Sequence, residues 1–222
     1  MKKEFLFGFD CGTYESKGVL CDLEGNIKAI SVAKHILKVP RPGYAEHDPI
    51  GDWWNDFNKI LKELIEKSHI STNQIIGIGI STIMAAITPV DKEGNPLRNA
   101  ILYGIDTRCQ RQVKTLNDTI GIEKIKKISG SECSVESFGP KIKWIIDNEP
   151  EIYKKAEHFT IGAGFLVSKL TGNFCVDEYS SNFAQPMLDY KKMDWDDEMC
   201  QYICPKEMLP QIKKTIDLAG VI

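Results

Sequence analysis

Two short apolar runs near the start of the chain, Phe5–Phe9 and Lys17–Asp22, enclose the polar segment Asp10-Cys11-Gly12-Thr13-Tyr14-Glu15-Ser16. Their length and their aromatic and branched side chains read as strands. So few residues between them allow only a tight reversal, so the fold must open with a hairpin. Glu24-Gly25-Asn26 is a second turn signal and Ile27–Leu37 a third strand-like run, which extends the hairpin to an antiparallel meander. Successive backbone N–H groups in such a turn can cradle phosphate oxygens. Asp10 suits Mg²⁺ or its water shell, because that ion prefers oxygen ligands and keeps several waters. Lys17 is a compact cation for phosphate charge, Thr13 and Ser16 supply small hydroxyls, and Gly12 permits positive φ and close backbone approach. The same residues also suit an ordinary hairpin in which Asp and Gly serve the turn alone. Neither a Walker A loop nor a Gly-x-Gly-x-x-Gly fingerprint occurs here.

Downstream, Pro40–Pro49 reads as a loop. Trp53, Trp54, Phe57, Ile60, Leu61, Leu64 and Ile65 repeat at the spacing of one buried helix face, with Asp52 as its N-cap. Ile75–Ile80 is continuously apolar, which predicts a strand covered on both faces. Ile87–Val90 and Ala100–Tyr103 read as further strands, and 159–161 as a strand edge. Helical patterns follow over 107–116, 122–128, 140–148, 150–156, 164–170 and 196–203. A meander, then helix–strand alternation, then a helical cap is an α/β order. Trp53 and Trp54 are expected to pack in the core.

Composition narrows the function classes. The 222 residues are 42% hydrophobic and carry 28 basic against 31 acidic side chains, a formal charge of −3. That excludes a disordered chain and argues against the basic face of a nucleic-acid binder. No apolar run approaches the ~20 residues that cross a bilayer. The start, Met1-Lys2-Lys3-Glu4, lacks a signal-peptide pattern, so a cytoplasmic protein without nucleic-acid or membrane partners is expected. Seven cysteines, an odd number, point to reduced thiols rather than a disulfide framework. His35, His47, His69 and His158 lie far apart in sequence and are expected to be surface or structural residues.

Several segments together resemble one family. Asp10-Cys-Gly-Thr13 resembles the first phosphate loop of the actin-like, ribonuclease-H-like ATPases. Pro42-Gly-Tyr-Ala-Glu-His-Asp-Pro49 followed by Trp53-Trp54 resembles a "P-G-W-x-E-Q-D-P…W-W" segment, and Ile101–Arg108 a "W-x-D-x-R" segment. Lys143–Pro150, Leu170-Thr-Gly172 and Met193-Asp-Trp195 match further landmarks in the same order. The chain thereby resembles the N-terminal half of the FGGY family of carbohydrate kinases over nearly its whole length.

The resemblance implies a ribonuclease-H-like domain: a mixed sheet that starts with the meander and is flanked by helices. It implies phosphoryl transfer from ATP, with Mg²⁺, to a hydroxyl of a sugar or polyol of the xylulose, gluconate or glycerol class. Asp10 (through water to Mg²⁺), Gly12, Thr13, Ser16 and Lys17 would serve metal and phosphate. Thr82, Met84, Asp106 and Arg108 would line the substrate site, with Arg108 equally suited to brace its loop by pairing with a carboxylate. Two departures stand out. The Thr82-Ile-Met-Ala-Ala86 stretch has neither the Met-His of xylulose-type nor the Arg-Glu of glycerol-type enzymes. The family's general-base Asp and its nucleotide-binding domain are expected beyond Ile222. A half-enzyme inactive alone is therefore expected, with a non-catalytic sugar-binding or interaction module as the alternative. An uncovered inter-domain face would favour homo-oligomers.

Overall fold

The computed structural model describes residues 3–222. The meander forms as read: β1 (Phe5–Cys11), β2 (Glu15–Asp22) and β3 (Ile27–Lys34) pair antiparallel, with Asp10 opposite Lys17 and Cys11 opposite Ser16. Alternation along β1 buries Phe5, Phe7, Phe9 and Cys11 and turns Leu6 and Asp10 outward. The third strand ends at Lys34, short of the expected Leu37, because His35 turns inward to a carboxylate on the first helix.

After β4 (Glu46–His47) comes a π-helical turn, Pro49–Trp54, which runs into α1 (Asn55–Ser68). The cap is Asp48, not Asp52. The Asp48 carboxylate accepts from the N–H groups of Ile50 and Gly51, while Asp52 reaches back to accept from the Asp48 N–H. Phe57, Ile60 and Leu64 of α1 are buried against the first sheet. The contact is close enough that a Cβ on Gly18 would overlap Ile60 Cγ2. Trp53 is fully buried and Trp54 stacks on Phe57, as core packing requires.

β5 (Ile75–Thr82) lies parallel to β1, so the sheet order is β3-β2-β1-β5. The expectation that β5 is covered on both faces is corrected: Ile76 is 53% exposed and Ile78 and Ile80 are only partly buried. Within the described residues β5 is an edge strand whose outer face no helix covers, which an apolar sequence alone does not reveal. β6 (Ile87–Val90) and β7 (Ala100–Ile101) follow, then α2 (Gln110–Ile120), α3 (Ile122–Ser129), α4 (Phe138–Asn148) and α5 (Pro150–Tyr153). β8 (His158–Ile161) completes a second sheet of order β4-β7-β6-β8. α6 (Gly162–Thr171) packs between the sheets; Phe165 and Leu166 join the core under β1, and the second core gathers α2–α4 and the C-terminal segments. No helix among the described residues is long and apolar enough to cross a membrane.

Candidate functional site

The hairpin turn between β1 and β2 is closed by Gly12 N–H donating to the Glu15 carbonyl at 3.0 Å. Gly12 does not have positive φ; what its lack of a side chain provides is room, since a Cβ would stand 3.1 Å from the Glu15 oxygen. Its carbonyl accepts from His35 Nε2 at 3.0 Å, and the Thr13 carbonyl accepts from His47 Nε2 at 3.0 Å. In a trans peptide the N–H points away from the C=O of the same unit. The Thr13 and Tyr14 N–H groups therefore face opposite to the histidines, and neither has an acceptor among the described residues. Two adjacent amides without an acceptor on one side of a turn are donors of the kind that can take an anion.

Asp10 is exposed and its carboxylate has no hydrogen bond or ion pair among the described residues. Lys17, directly across from it, holds only an exposed 3.0 Å pair with Glu15, a contact weak enough in water to exchange for another anion. Ser16 is a correction. Strand alternation turns Lys17 outward and Ser16 into the core, where it is fully buried and its hydroxyl has no hydrogen-bond partner. It cannot reach a ligand that Lys17 faces.

β5 delivers the next loop to the same place, with Thr82 beside Cys11 and the Ile83 N–H donating to the Cys11 carbonyl at 2.8 Å. There a cavity of about 290 Å³ is lined by Ile83, Met84, Ala85, Tyr103, Glu136 and Phe183. The Tyr103 hydroxyl lies 3.5 Å from Thr13 Oγ1, so the turn touches a residue that lines the cavity. Two of the lining residues are tethered by Lys141, which is fully buried and donates to the carbonyls of Ala85 (2.7 Å) and Glu136 (3.3 Å). Burial pushes the Lys141 ammonium down to about 8. Ala85 sits at φ 56, a left-handed conformation unusual for a residue with a side chain, and the tether holds it there.

Of the four substrate-site candidates, Met84 lines this cavity. Thr82 precedes the lining residue Ile83 and packs its own side chain against Gly162. Asp106 and Arg108 lie elsewhere. The Asp106 side chain is 0% and that of Arg108 1% exposed. Asp106 accepts from the Ala45 N–H (2.7 Å), the Arg108 N–H (3.0 Å) and the Arg108 guanidinium (2.7 Å). Arg108 also pairs with Glu46 at 2.8 Å and lies over the Tyr44 ring. Glu46 and Glu149 in turn hold Arg98. Burial would raise the Glu46 carboxyl, but Arg98 and Arg108 together hold it below the usual range. This network ties the 41–46 loop to the segment after β7 and places Asp106 and Arg108 outside the cavity that Met84 lines.

Glu136 and Tyr103 are the site residues that sequence reasoning missed. Glu136 is two residues before α4, and its carboxylate packs on Gly104, where a Cβ would come within 2.8 Å of Oε1. Only a glycine after Tyr103 leaves it room, and Gly104 is the one signal that could have pointed there.

The model of the N-terminal domain of the FGGY family of carbohydrate kinases matches residues 5–222. The chain belongs to that family. A glycerol kinase of Thermococcus kodakarensis is 30% identical over 98% of the chain. The chain spans 44% of that protein, about half the length of the curated relatives it matches. The crystal structure of Plasmodium falciparum glycerol kinase with ADP superposes with a TM-score of 0.89 at 25% identity, over 99% of this chain and 45% of that one. A xylulose kinase from Rhodospirillum rubrum gives 0.89 at 23% identity, over 98% and 45%. The fold is thus the mixed α/β fold of the actin-like ATPases.

Proposed function

We propose that this FGGY domain is the acceptor-binding half of a kinase that transfers the γ-phosphoryl group of Mg-ATP to a hydroxyl of a neutral polyol or ketose. The observation that supports the reading is the contact of turn with cavity: Thr13, whose amide has no acceptor among the described residues, places its Oγ1 3.5 Å from the hydroxyl of Tyr103, which lines the cavity. Phosphoryl transfer depends on positioning and charge neutralisation more than on covalent chemistry. Asp10 has a free carboxylate suited to the water shell of Mg²⁺, which would offset charge on the transferring group. Lys17 is across the strand pair from it. Among the described residues, Glu136 is the only charged side chain lining the cavity. A carboxylate there accepts hydrogen bonds from hydroxyls and repels an acidic acceptor, which favours glycerol- or xylulose-like molecules over gluconate.

The test is Mg-ATP-dependent phosphorylation by the full-length protein against glycerol, xylulose and gluconate. Asp10→Asn should lower kcat/KM about 10- to 100-fold, and Glu136→Gln should raise the acceptor KM with a smaller effect on ATP. A full-length protein that binds polyols tightly yet phosphorylates none would support the non-catalytic binding module instead.

A further inference from the structure

The two histidines behind the turn, His35 just past the end of β3 and His47 in β4, converge on consecutive carbonyls, with ring centroids 4.8 Å apart. Their partners fix their protonation. His35 Nε2 meets the Gly12 carbonyl and Nδ1 meets the Asp56 carboxylate at 2.8 Å. Both are acceptors, so both ring nitrogens must carry a proton. His47 Nδ1 receives the Trp53 indole N–H at 3.1 Å, and Nε2 meets the Thr13 carbonyl. Trp53 can only donate, so His47 is neutral with its proton on Nε2. The surrounding charges agree. Burial opposes charge on His35, but the Asp56 carboxylate and Gly12 carbonyl outweigh it, with Asp52 adding, and its pKa is raised. Burial, then the adjacent His35 and Lys38 charges, hold His47 below its usual value against the pull of the Thr13 carbonyl and Asp52.

We propose that His35, as the imidazolium, and His47, as the neutral imidazole, are positioning residues for phosphate. They draw two successive carbonyls backward so that the Thr13 and Tyr14 amides stay presented on the opposite side. This rests on the reading of the turn as the phosphate site. The charge on His35 adds a second effect: a charge-assisted bond to the Gly12 carbonyl polarises that peptide unit, which makes the Thr13 N–H a stronger donor. Neither histidine touches the ligand. Trp53 and Asp56 are the outer members that set the two rings.

The experiment uses the full-length protein with Mg-ATP kinetics and calorimetric Mg-ADP binding. His35→Phe and His47→Phe remove the donors. Each should raise the KM for Mg-ATP and weaken Mg-ADP about tenfold or more, with the acceptor KM within about twofold. His47→Gln retains an acceptor for Trp53 and a donor for Thr13, and should recover most of the loss. Equal changes in both KM values, or a Gln variant as poor as Phe, would overturn the proposal. Nitrogen NMR of the wild-type rings tests it even if a Phe variant does not fold. At neutral pH His35 should be protonated on both nitrogens and His47 on Nε2 alone, and a neutral His35 contradicts the assignment. Asp10→Asn is the separating control: if it leaves Mg-ATP kinetics unchanged, the phosphate reading itself fails, whatever the histidines do.

Discussion

Replacing Arg108 with Met separates a bracing role from a substrate role more sharply than any other change. The guanidinium is 1% exposed and serves Asp106 at 2.7 Å and Glu46 at 2.8 Å. Its removal leaves Asp106 without its ion-pair partner and Glu46 sharing Arg98 with Glu149. Breaking a buried pair by deleting one partner costs about 3–5 kcal/mol, because the other charge stays buried and uncompensated. Contacts of the guanidinium with the Tyr44 ring at 3.9 Å and the Trp144 ring at 5.0 Å are lost as well, so the lower end of that range is a floor. For a unit of this size each kcal/mol moves the midpoint by roughly 2–4 °C, which gives a fall of roughly 6–20 °C. Thermal unfolding of the full-length protein, read by circular dichroism and calorimetry together, is the assay. Arg108→Met/Asp106→Leu should recover part of the loss, since the stranded carboxylate is removed too. A midpoint within about 2 °C of wild type, together with a large rise in acceptor KM, would refute the bracing argument and return Arg108 to the substrate site.

Lys141→Met should change the pH dependence of stability. The Lys141 pKa in the folded chain is about 8 against 10.5 for a free side chain, so between those values the unfolded chain binds more protons. Stability due to this group is therefore lowest below pH 8 and rises toward pH 10.5, by up to about 3 kcal/mol. Urea midpoints across that window should climb less in the variant than in wild type, and equal slopes would show that the ammonium is not buried. Gly18→Ala places a methyl where Ile60, Phe7 and Leu64 already meet and should cost about 1–3 kcal/mol by overpacking. Denaturation of unchanged midpoint would mean that α1 can shift off β2 freely.

How far the sequence could be read depended on the range of each interaction. The meander and α1 were legible because alternation and helical periodicity are local. The misplacement of Ser16 was correctable from the same rule, since Lys17 and Ser16 must face opposite sides of β2. Pairing of Arg108 with a carboxylate was one of two readings the sequence allowed; its link to Glu46 was not legible, because the two are some sixty residues apart in the chain and no spacing rule joins them. The same holds for His35 and His47. Read singly they are isolated polar residues; only the register of the meander and the position of β4 bring both rings behind one turn. The strand β5 looks fully buried by composition, and its exposed Ile76 shows that an apolar run states what a strand could cover, not what lies on it.

The central claim is that phosphate sits on the amides of Thr13 and Tyr14. Amide NMR of the deuterated full-length protein during titration with Mg-ADP and then with inorganic phosphate tests it directly. The Thr13 and Tyr14 cross-peaks should move downfield on binding, while the amides of the distant turns at Gly25 and Gly94 stay fixed. Saturating Mg-ADP that leaves both cross-peaks in place would contradict the account.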